Sequence, residues 1–187
     1  LNMNPQQAAG GPIIGIVHKK DMNKVEQYLS MRAVKDVLPR QLSPKWTVKA
    51  VDEKDEFYEL IAIKVTTRDG KAPLEGDVIT DARDDFGQTG SSAEVSMAMN
   101  AEGAKKWARM TRENIGKSIA IVLDNNVYSY PNVNNEIAGG RSQITGNFTP
   151  EEAKDLANVL RSGKMPAPAR VVQENIIGPS LGQASIN

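Results

Sequence analysis

The chain has 187 residues, of which 23 are Lys or Arg and 23 are Asp or Glu, so its formal net charge is zero. A chain of this length can bury a core and build one or two domains. Without a net positive field, binding to nucleic acid or to an anionic membrane surface is disfavoured. The sequence contains no cysteine, which excludes disulfides and thiolate metal sites. No signal peptide is visible, and the longest aliphatic run, Ile119 to Leu123, is far shorter than the ~20 apolar residues of a membrane helix.

The first part of the chain predicts a strand and a helix after a loose polar start at residues 1–12. Ile13 to Val17 is a short apolar run that predicts a strand. Asp21 is placed to cap a helix that ends before Leu38-Pro39. The residues expected on its inner face are Val25, Tyr28, Leu29 and either Arg32 or Ala33.

Two strands are predicted next, at Trp46 to Val51 and Phe57 to Thr67, joined by a charged turn at residues 52–55. A loop punctuated by Gly and Pro follows at residues 68–76. Val78 to Asp85 and Ala93 to Met99 then read as a strand pair across a flexible loop at residues 87–92.

Asn100 is expected to cap a helix over residues 101–113, whose inner stripe is Ala104, Trp107, Ala108 and Thr111. Strands at residues 118–124 and 127–130 flank Asn125-Asn126, which predicts a two-residue hairpin turn because Asn tolerates positive φ. After Gly139-Gly140, a short strand is expected at residues 142–145.

Thr149-Pro150-Glu151-Glu152 is a capping box followed by a helix. The apolar face of this helix recurs with helical period at Ala153, Leu156, Ala157 and Leu160. Gly163 is expected to end it, and a further strand is predicted at residues 170–174. The mixed order of elements predicts an α+β fold with an antiparallel or mixed sheet and about three helices packed against it.

Two stretches match catalytic motifs in part but lack residues that the chemistry requires. Gly178-Pro179-Ser180-Leu181-Gly182 fits the G-x-S-x-G pattern, but a hydrolase triad needs a histidine after the serine, and the single histidine is His18. Residues 116–118, Gly-Lys-Ser, lack the first glycine of a phosphate loop, because residue 111 is Thr. No enzyme and no cofactor are therefore expected.

Metal and ligand patterns also favour structural explanations. Residues 124–135 resemble a calcium loop only faintly, since the sixth place is Ser129 and the twelfth is Asn135. The single His18 cannot build a zinc site alone. Trp46 and Trp107 are expected to anchor the core, and an acidic run is expected to be a solvated strand edge; it comprises Asp77, Asp81, Asp84 and Asp85.

Several stretches resemble one family in order and spacing. They are residues 76–82 (GDVITDA), 114–120 (NIGKSIA), 144–146 (ITG), the helix at 152–163, Pro166-Ala167-Pro168, and 178–182 (GPSLG). Together they resemble the SecD family, including fused SecDF forms, in the second half of the first periplasmic domain. The positions that carry the motif are Gly146, Thr149, Glu152, Leu156, Arg161, Gly163, Pro166, Pro168, Gly178, Pro179 and Gly182.

The resemblance implies a fold like the SecD periplasmic head and a role in protein export. Residues 1–75 would be an N-terminal elaboration of the head, residues 76–165 the head, residues 166–178 a return strand to a base, and residues 179–187 a lead-in to the membrane. The parent would be a multi-pass protein of the bacterial inner membrane, and this segment would lie on the periplasmic side. The implied partners are unfolded preprotein, the SecYEG channel and SecF, with the proton gradient acting through membrane parts outside this chain.

Two sites follow as hypotheses. A hinge is expected where a glycine helix stop meets two prolines; its residues are Gly163, Lys164, Met165, Pro166 and Pro168. Weak contact with preproteins is expected on the loop and strand edge, with candidate residues Phe86, Gln88, Thr89, Ser91 and Ser92. The alternative is an envelope domain that binds a small molecule or peptidoglycan without catalysis, which would require a concave pocket with converging polar groups.

Overall fold

The computed structural model describes residues 11–86 and 92–163, with no side-chain detail at positions 146 and 147. Its secondary structure is α+β, as the order of sequence patterns predicts. The described residues form two antiparallel three-stranded sheets and one two-stranded ribbon. Each three-stranded sheet has its own apolar core. We call residues 11–64 the N-terminal unit and residues 76–163 the C-terminal unit.

The N-terminal unit is a sheet with the strand order β1-β3-β2, covered by a helix. The strands are β1 (Ile13–His18), β2 (Leu42–Trp46) and β3 (Phe57–Lys64), and the helices are α1 (Met22–Ser30) and α2 (Arg32–Lys35). Its small core joins Val17, Trp46 and Leu60, against which Val25 and Leu29 of α1 pack. The Trp46 indole Nε1 also donates to Glu26 at 2.9 Å, which ties α1 to the sheet.

The helix predicted from Asp21 onward differs from the expectation in three respects. Asp21 occupies the cap position but its side chain caps no amide; it pairs with Lys24 at 3.1 Å instead. Met31 adopts an extended conformation (φ −62°, ψ 136°), which separates α1 from α2. Tyr28, expected on the inner face, is 63% exposed, whereas Val25 and Leu29 of the same helix pack against the core.

The strand predicted at Trp46 to Val51 is also misplaced. The strand ends at Trp46 and begins earlier, at Leu42, so that it contains Pro44. Proline is tolerated there because β2 is an edge strand and its missing N–H costs no ladder bond. Beyond the strand, the Thr47 amide donates to the Glu59 carbonyl at 3.0 Å, and Thr47 forms an isolated parallel bridge with Val127.

The C-terminal unit is built on a sheet with the order β4-β5-β8. Its strands are β4 (Ile79–Phe86), β5 (Ala93–Met99) and β8 (Arg141–Phe148), the last being longer than the sequence pattern predicts. Every second residue of β5 is buried, from Ala93 to Met99, so one face of the sheet lies against the core. The β4–β5 hairpin is the predicted one, with Phe86 opposite Ala93.

Two helices cover the buried face of this sheet, α3 (Ala101–Glu113) and α4 (Pro150–Ser162). Both begin as predicted: Asn100 accepts from the Gly103 amide at 2.8 Å, and Thr149 and Glu152 form a reciprocal capping box. The predicted inner face of α4 is buried at all four positions. Trp107 and Thr111 of α3 are buried as well, and Trp46 and Trp107 are both core residues, as expected.

A short ribbon of β6 (Ile121–Leu123) and β7 (Asn126–Ser129) completes this unit. Its turn is formed by Asp124 and Asn125, which have positive φ of 47° and 67°. The predicted turn at Asn125-Asn126 is therefore one residue too late, because Asn126 already pairs with Leu123. Two consecutive positive φ values give the turn the twist that a two-residue hairpin requires.

The two units touch through polar and main-chain contacts. The Val48 amide donates to the Val127 carbonyl at 2.9 Å, and the Tyr130 hydroxyl donates to Glu59 at 2.6 Å. Lys49 forms an ion pair with Glu152 at the start of α4. These contacts place the ribbon and α4 beside the N-terminal sheet.

Candidate functional site

Among the described residues, the start and the end of the C-terminal unit meet where the backbones of Gly76 and Gly163 lie against each other. A β-carbon on Gly76 would sit 2.9 Å from the Gly163 Cα, and one on Gly163 would sit 3.1 Å from the Gly76 Cα. Real β-carbons essentially never approach a neighbour as closely as the first of these distances. Only glycine fits this close approach without displacement of one backbone. We call this contact the crossing.

The crossing contains one of the residues proposed as a hinge. Gly163 caps α4 in a helical conformation, with φ −61° and ψ −20°, and its amide bonds to Val159. Lys164, Met165, Pro166 and Pro168 lie outside the described residues, so the hinge hypothesis remains a prediction. Gly76 was not among the proposed hinge residues.

The proposed preprotein-contact residues lie at the end of the β4–β5 hairpin. Phe86 closes β4 and is 67% exposed, with its amide bonded to its neighbour Asp85 at 2.8 Å. Ser92 lies half-buried just before β5. Gln88, Thr89 and Ser91 fall outside the described residues. An exposed aromatic ring at a strand end offers a contact surface for an apolar side chain.

The face of the C-terminal sheet opposite the helices is open and polar. It forms a shallow concavity of about 530 Å³, lined in part by Asp81, Arg83, Ser96, Arg141 and Gln143. Asp81 and Arg83 pair with each other at 2.8 Å. Small-molecule sites are mostly apolar and enclose their ligand. This exposed face therefore lacks the enclosure that the alternative function requires.

A second and smaller cavity, of about 190 Å³, lies between α3, the segment after the ribbon, and the outer side of β8. Its apolar lining includes Trp107, Ile137 and Ile144. The Trp107 indole Nε1 is buried and has no hydrogen-bond partner within the described residues. Thr111 is fully buried beside it and accepts from the Ile137 amide at 2.9 Å. Sequence reasoning placed both side chains in the core and gave no sign of this cavity.

The described motif residues of α4 have structural roles. Leu156 is buried at the sheet, and Arg161 contacts Asn158 at 3.2 Å. Burial alone would raise the pKa of Glu152, but hydrogen bonds from Lys49 and the Thr149 amide outweigh it and lower the pKa. Gly146 lies in β8, and Pro166, Pro168, Gly178, Pro179 and Gly182 fall outside the described residues.

Residues considered for metal chemistry lie apart from one another. Within residues 11–86 and 92–163, no group of three or more His, Asp or Glu side chains is arranged to hold a metal ion. His18 accepts from the Lys20 amide at 3.2 Å and stacks edge-on against Phe57 at 5.1 Å. In the same described part of the chain, no helix is long and apolar enough to cross a membrane.

The described residues thus form an α+β module with a close backbone contact at the crossing, exposed strand edges and a small cavity. The family model described as SecDF, P1 head subdomain, matches residues 56–167, more than half of the chain. The chain belongs to this family, as the sequence resemblance predicts.

Curated relatives agree with this assignment. Protein translocase subunit SecD of Rhodothermus marinus is 44% identical over 184 residues, which is 97% of this chain and 29% of that protein. SecD of Syntrophobacter fumaroxidans is 45% identical over 114 residues, covering 61% of this chain and 21% of that protein. The chain thus spans less than a third of the length of either relative.

Solved structures of SecDF are also similar to the chain. One, described as a membrane component that enhances protein export, is 35% identical, with 78% of this chain and 57% of that chain covered and a TM-score of 0.44. SecDF in a super-membrane-facing form is 35% identical as well, with 78% and 17% covered and a TM-score of 0.45.

Proposed function

We propose that this chain is the head of the first periplasmic domain of a SecD or SecDF subunit, which binds unfolded preproteins and helps to pull them across the inner membrane. Family membership supports this proposal. The parent protein would sit in the inner membrane beside SecYEG and SecF. The proton gradient would act on its membrane parts, and the head would move on the periplasmic side.

The observation that carries the mechanical part of the proposal is the crossing of Gly76 and Gly163. Because the start of the C-terminal unit is packed against the end of α4 at this contact, a hinge just beyond Gly163 would require few changes in backbone angle. The two units would move together as one head, since Val48 bonds to Val127 and Tyr130 bonds to Glu59. The hinge would then comprise Gly163 and the residues from Lys164 to Pro168, with Gly76 inside the moving head.

Preprotein contact would occur at the β4–β5 end of the head, at Phe86 and the residues up to Ser92. β4 is an edge strand of its sheet within the described residues. An edge strand can pair weakly with any extended chain because main-chain hydrogen bonds are independent of sequence. Such tolerance suits a protein that must handle many different exported chains.

A disulfide across the crossing tests the mechanical proposal in the full-length parent protein. Cysteines would replace Asp77 and Lys164, the residues that directly follow the two contacting glycines. The chain itself contains no cysteine to interfere. Oxidation should slow export of a reporter preprotein, and reduction should restore it, with thiol titration reporting the extent of bond formation.

The matched control is a cysteine pair at Thr47 and Val127, which bridge the two units to each other. Oxidising that pair should leave export unchanged, because the proposed head already moves as one body. Export at the normal rate with the crossing fully oxidised would disprove the hinge. Equal slowing by both pairs would place the motion between the two units instead.

A further inference from the structure

The outer edge of β8 has main-chain groups free to pair with another strand. The Met99 amide donates to the Gly140 carbonyl at 2.7 Å, and Met97 lies opposite Ser142. Because hydrogen-bonded pairs alternate along an antiparallel ladder, Arg141 and Gln143 direct their N–H and C=O groups away from β5. Within the described residues, β8 pairs with β5 alone.

The smaller cavity opens beside this same edge. Residues 142–145 of β8 form one of its walls, and none of its lining side chains is charged. Side chains alternate along a strand, so a residue added next to the buried Ile144 would point toward the core and the cavity. The volume of about 190 Å³ is below the roughly 300–1,000 Å³ of sites for small organic ligands. It suits an aliphatic side chain better than a separate small molecule.

The buried indole of Trp107 adds a polar requirement to the cavity. Trp107 is only 8% exposed, and its Nε1 finds no acceptor within the described residues. A buried donor without a partner destabilises the folded chain. An occupant that brings a carbonyl oxygen within reach of Nε1 would remove this cost.

From this geometry we propose that β8 accepts an extended, uncharged polypeptide segment as an additional strand. One aliphatic side chain of the segment enters the cavity, the Gln143 main chain pairs with its backbone, and a carbonyl oxygen accepts from Trp107 Nε1. This site is separate from the β4 edge and the Phe86 end of the head. The proposal of this site depends on the proposed function only where it identifies the bound segment as part of a translocating chain.

The two tryptophans allow a direct test on the 187-residue chain by nitrogen–proton NMR. The probe is the peptide acetyl-Ser-Thr-Val-Thr-Ser-amide at millimolar concentration. The Trp107 indole and Gln143 amide signals should shift together. The Trp46 indole, already bonded to Glu26, serves as an internal control and should stay in place. A peptide with Glu in place of the central Val should bind at least tenfold more weakly, since the cavity would have to bury its charge.

Single substitutions test separately the hydrogen bond from the Trp107 indole and the main-chain hydrogen bond at Gln143. Trp107→Phe keeps the ring but removes the donor, and should weaken binding about three- to tenfold. Gln143→Pro removes the outward amide at an edge position where proline is tolerated, and should also weaken binding about three- to tenfold. Gln143→Ala keeps that amide and should bind like the parent chain. Circular dichroism would verify that each variant is folded.

Three results would overturn this site: no shift at the Trp107 indole, shifts confined to β4 amides, or equal binding by Gln143→Pro and Gln143→Ala. Failure of the site and failure of the proposed function are distinguishable. If the peptide binds as described but Trp107→Phe in the parent protein leaves export unchanged, the binding site is confirmed and its role in translocation is disproved. Shifts confined to β4 would favour the contact surface of the proposed function.

Discussion

The backbones of Gly76 and Gly163 are packed directly against each other, although 87 positions separate them in the sequence. Gly76 lies two residues before the buried Val78, and Gly163 follows the last turn of α4. The contact therefore fixes the start of β4 against the end of α4. Because no side chain lies between them, this junction depends on the absence of two β-carbons.

Replacing either glycine with alanine should destabilise the protein. The Gly76→Ala methyl would meet backbone atoms of Gly163 at 2.9 and 3.2 Å, which cannot rotate out of the way. Overpacking of this kind typically costs about 1–3 kcal/mol. Gly163→Ala should cost less, because its nearest contact is 3.1 Å. Chemical denaturation measures both free energies of unfolding.

Gly15→Ala is the matched control, since a β-carbon there would meet nothing within 4 Å. Gly15 lies in β1 with ordinary backbone angles. We expect a change of no more than about 0.5 kcal/mol. Equal effects at Gly15 and Gly76 would show that general glycine entropy, and not the crossing, sets the stability.

Local signals in the sequence were sufficient for much of the C-terminal unit. The capping residues Asn100 and Thr149 fix the starts of α3 and α4, because each satisfies amides of its own first turn. The buried positions of α4 follow from their helical period. These features depend on neighbours within about one turn, so the sequence alone reveals them.

Features that depend on distant residues were not predictable in this way. The crossing joins two glycines whose local sequence gives no sign of the contact. The break at Met31 and the strand through Pro44 likewise have no local signal in the sequence. The cavity at Trp107 arises between α3, β8 and the segment after the ribbon, three parts of the chain that only folding brings together.

Thr111→Val should destabilise the C-terminal unit. Thr111 is fully buried; its hydroxyl accepts from the Ile137 amide at 2.9 Å and donates to the Trp107 carbonyl at 2.8 Å. Valine has the same shape but leaves the Ile137 amide unpaired, which costs about 1–3 kcal/mol. Thr111→Ser keeps the hydroxyl and should cost less than Thr111→Val in the same denaturation experiment. The reverse order would show that the methyl group dominates.

Tyr130→Phe should weaken the contact between the two units. Burial, together with the hydrogen bond to the Glu59 carboxylate, raises the pKa of the Tyr130 hydroxyl. A group whose folded pKa is raised contributes stability below its unfolded pKa, near 10, and loses that contribution as the pH rises through its folded pKa. The free energy of unfolding of the parent chain should therefore exceed that of Tyr130→Phe by about 1 kcal/mol at pH 7. The difference should be smaller above pH 10. Tyr128→Phe removes a tyrosine hydroxyl elsewhere in the C-terminal unit and is the control.

Glu152→Gln should reduce the dependence of stability on acid pH. The pKa of Glu152 is lowered in the folded chain, because hydrogen bonds from Lys49 and Thr149 outweigh the effect of burial. A lowered folded pKa gives stability that is present above the unfolded pKa, near 4.3, and is lost as the pH falls through the folded value. The parent chain should thus lose more stability between pH 6 and pH 3 than Glu152→Gln does. Glu151→Gln, at an exposed position of the same turn, is the control that removes the same charge. An equal flattening of the pH dependence by both variants would contradict a specific role for the Lys49–Glu152 pair.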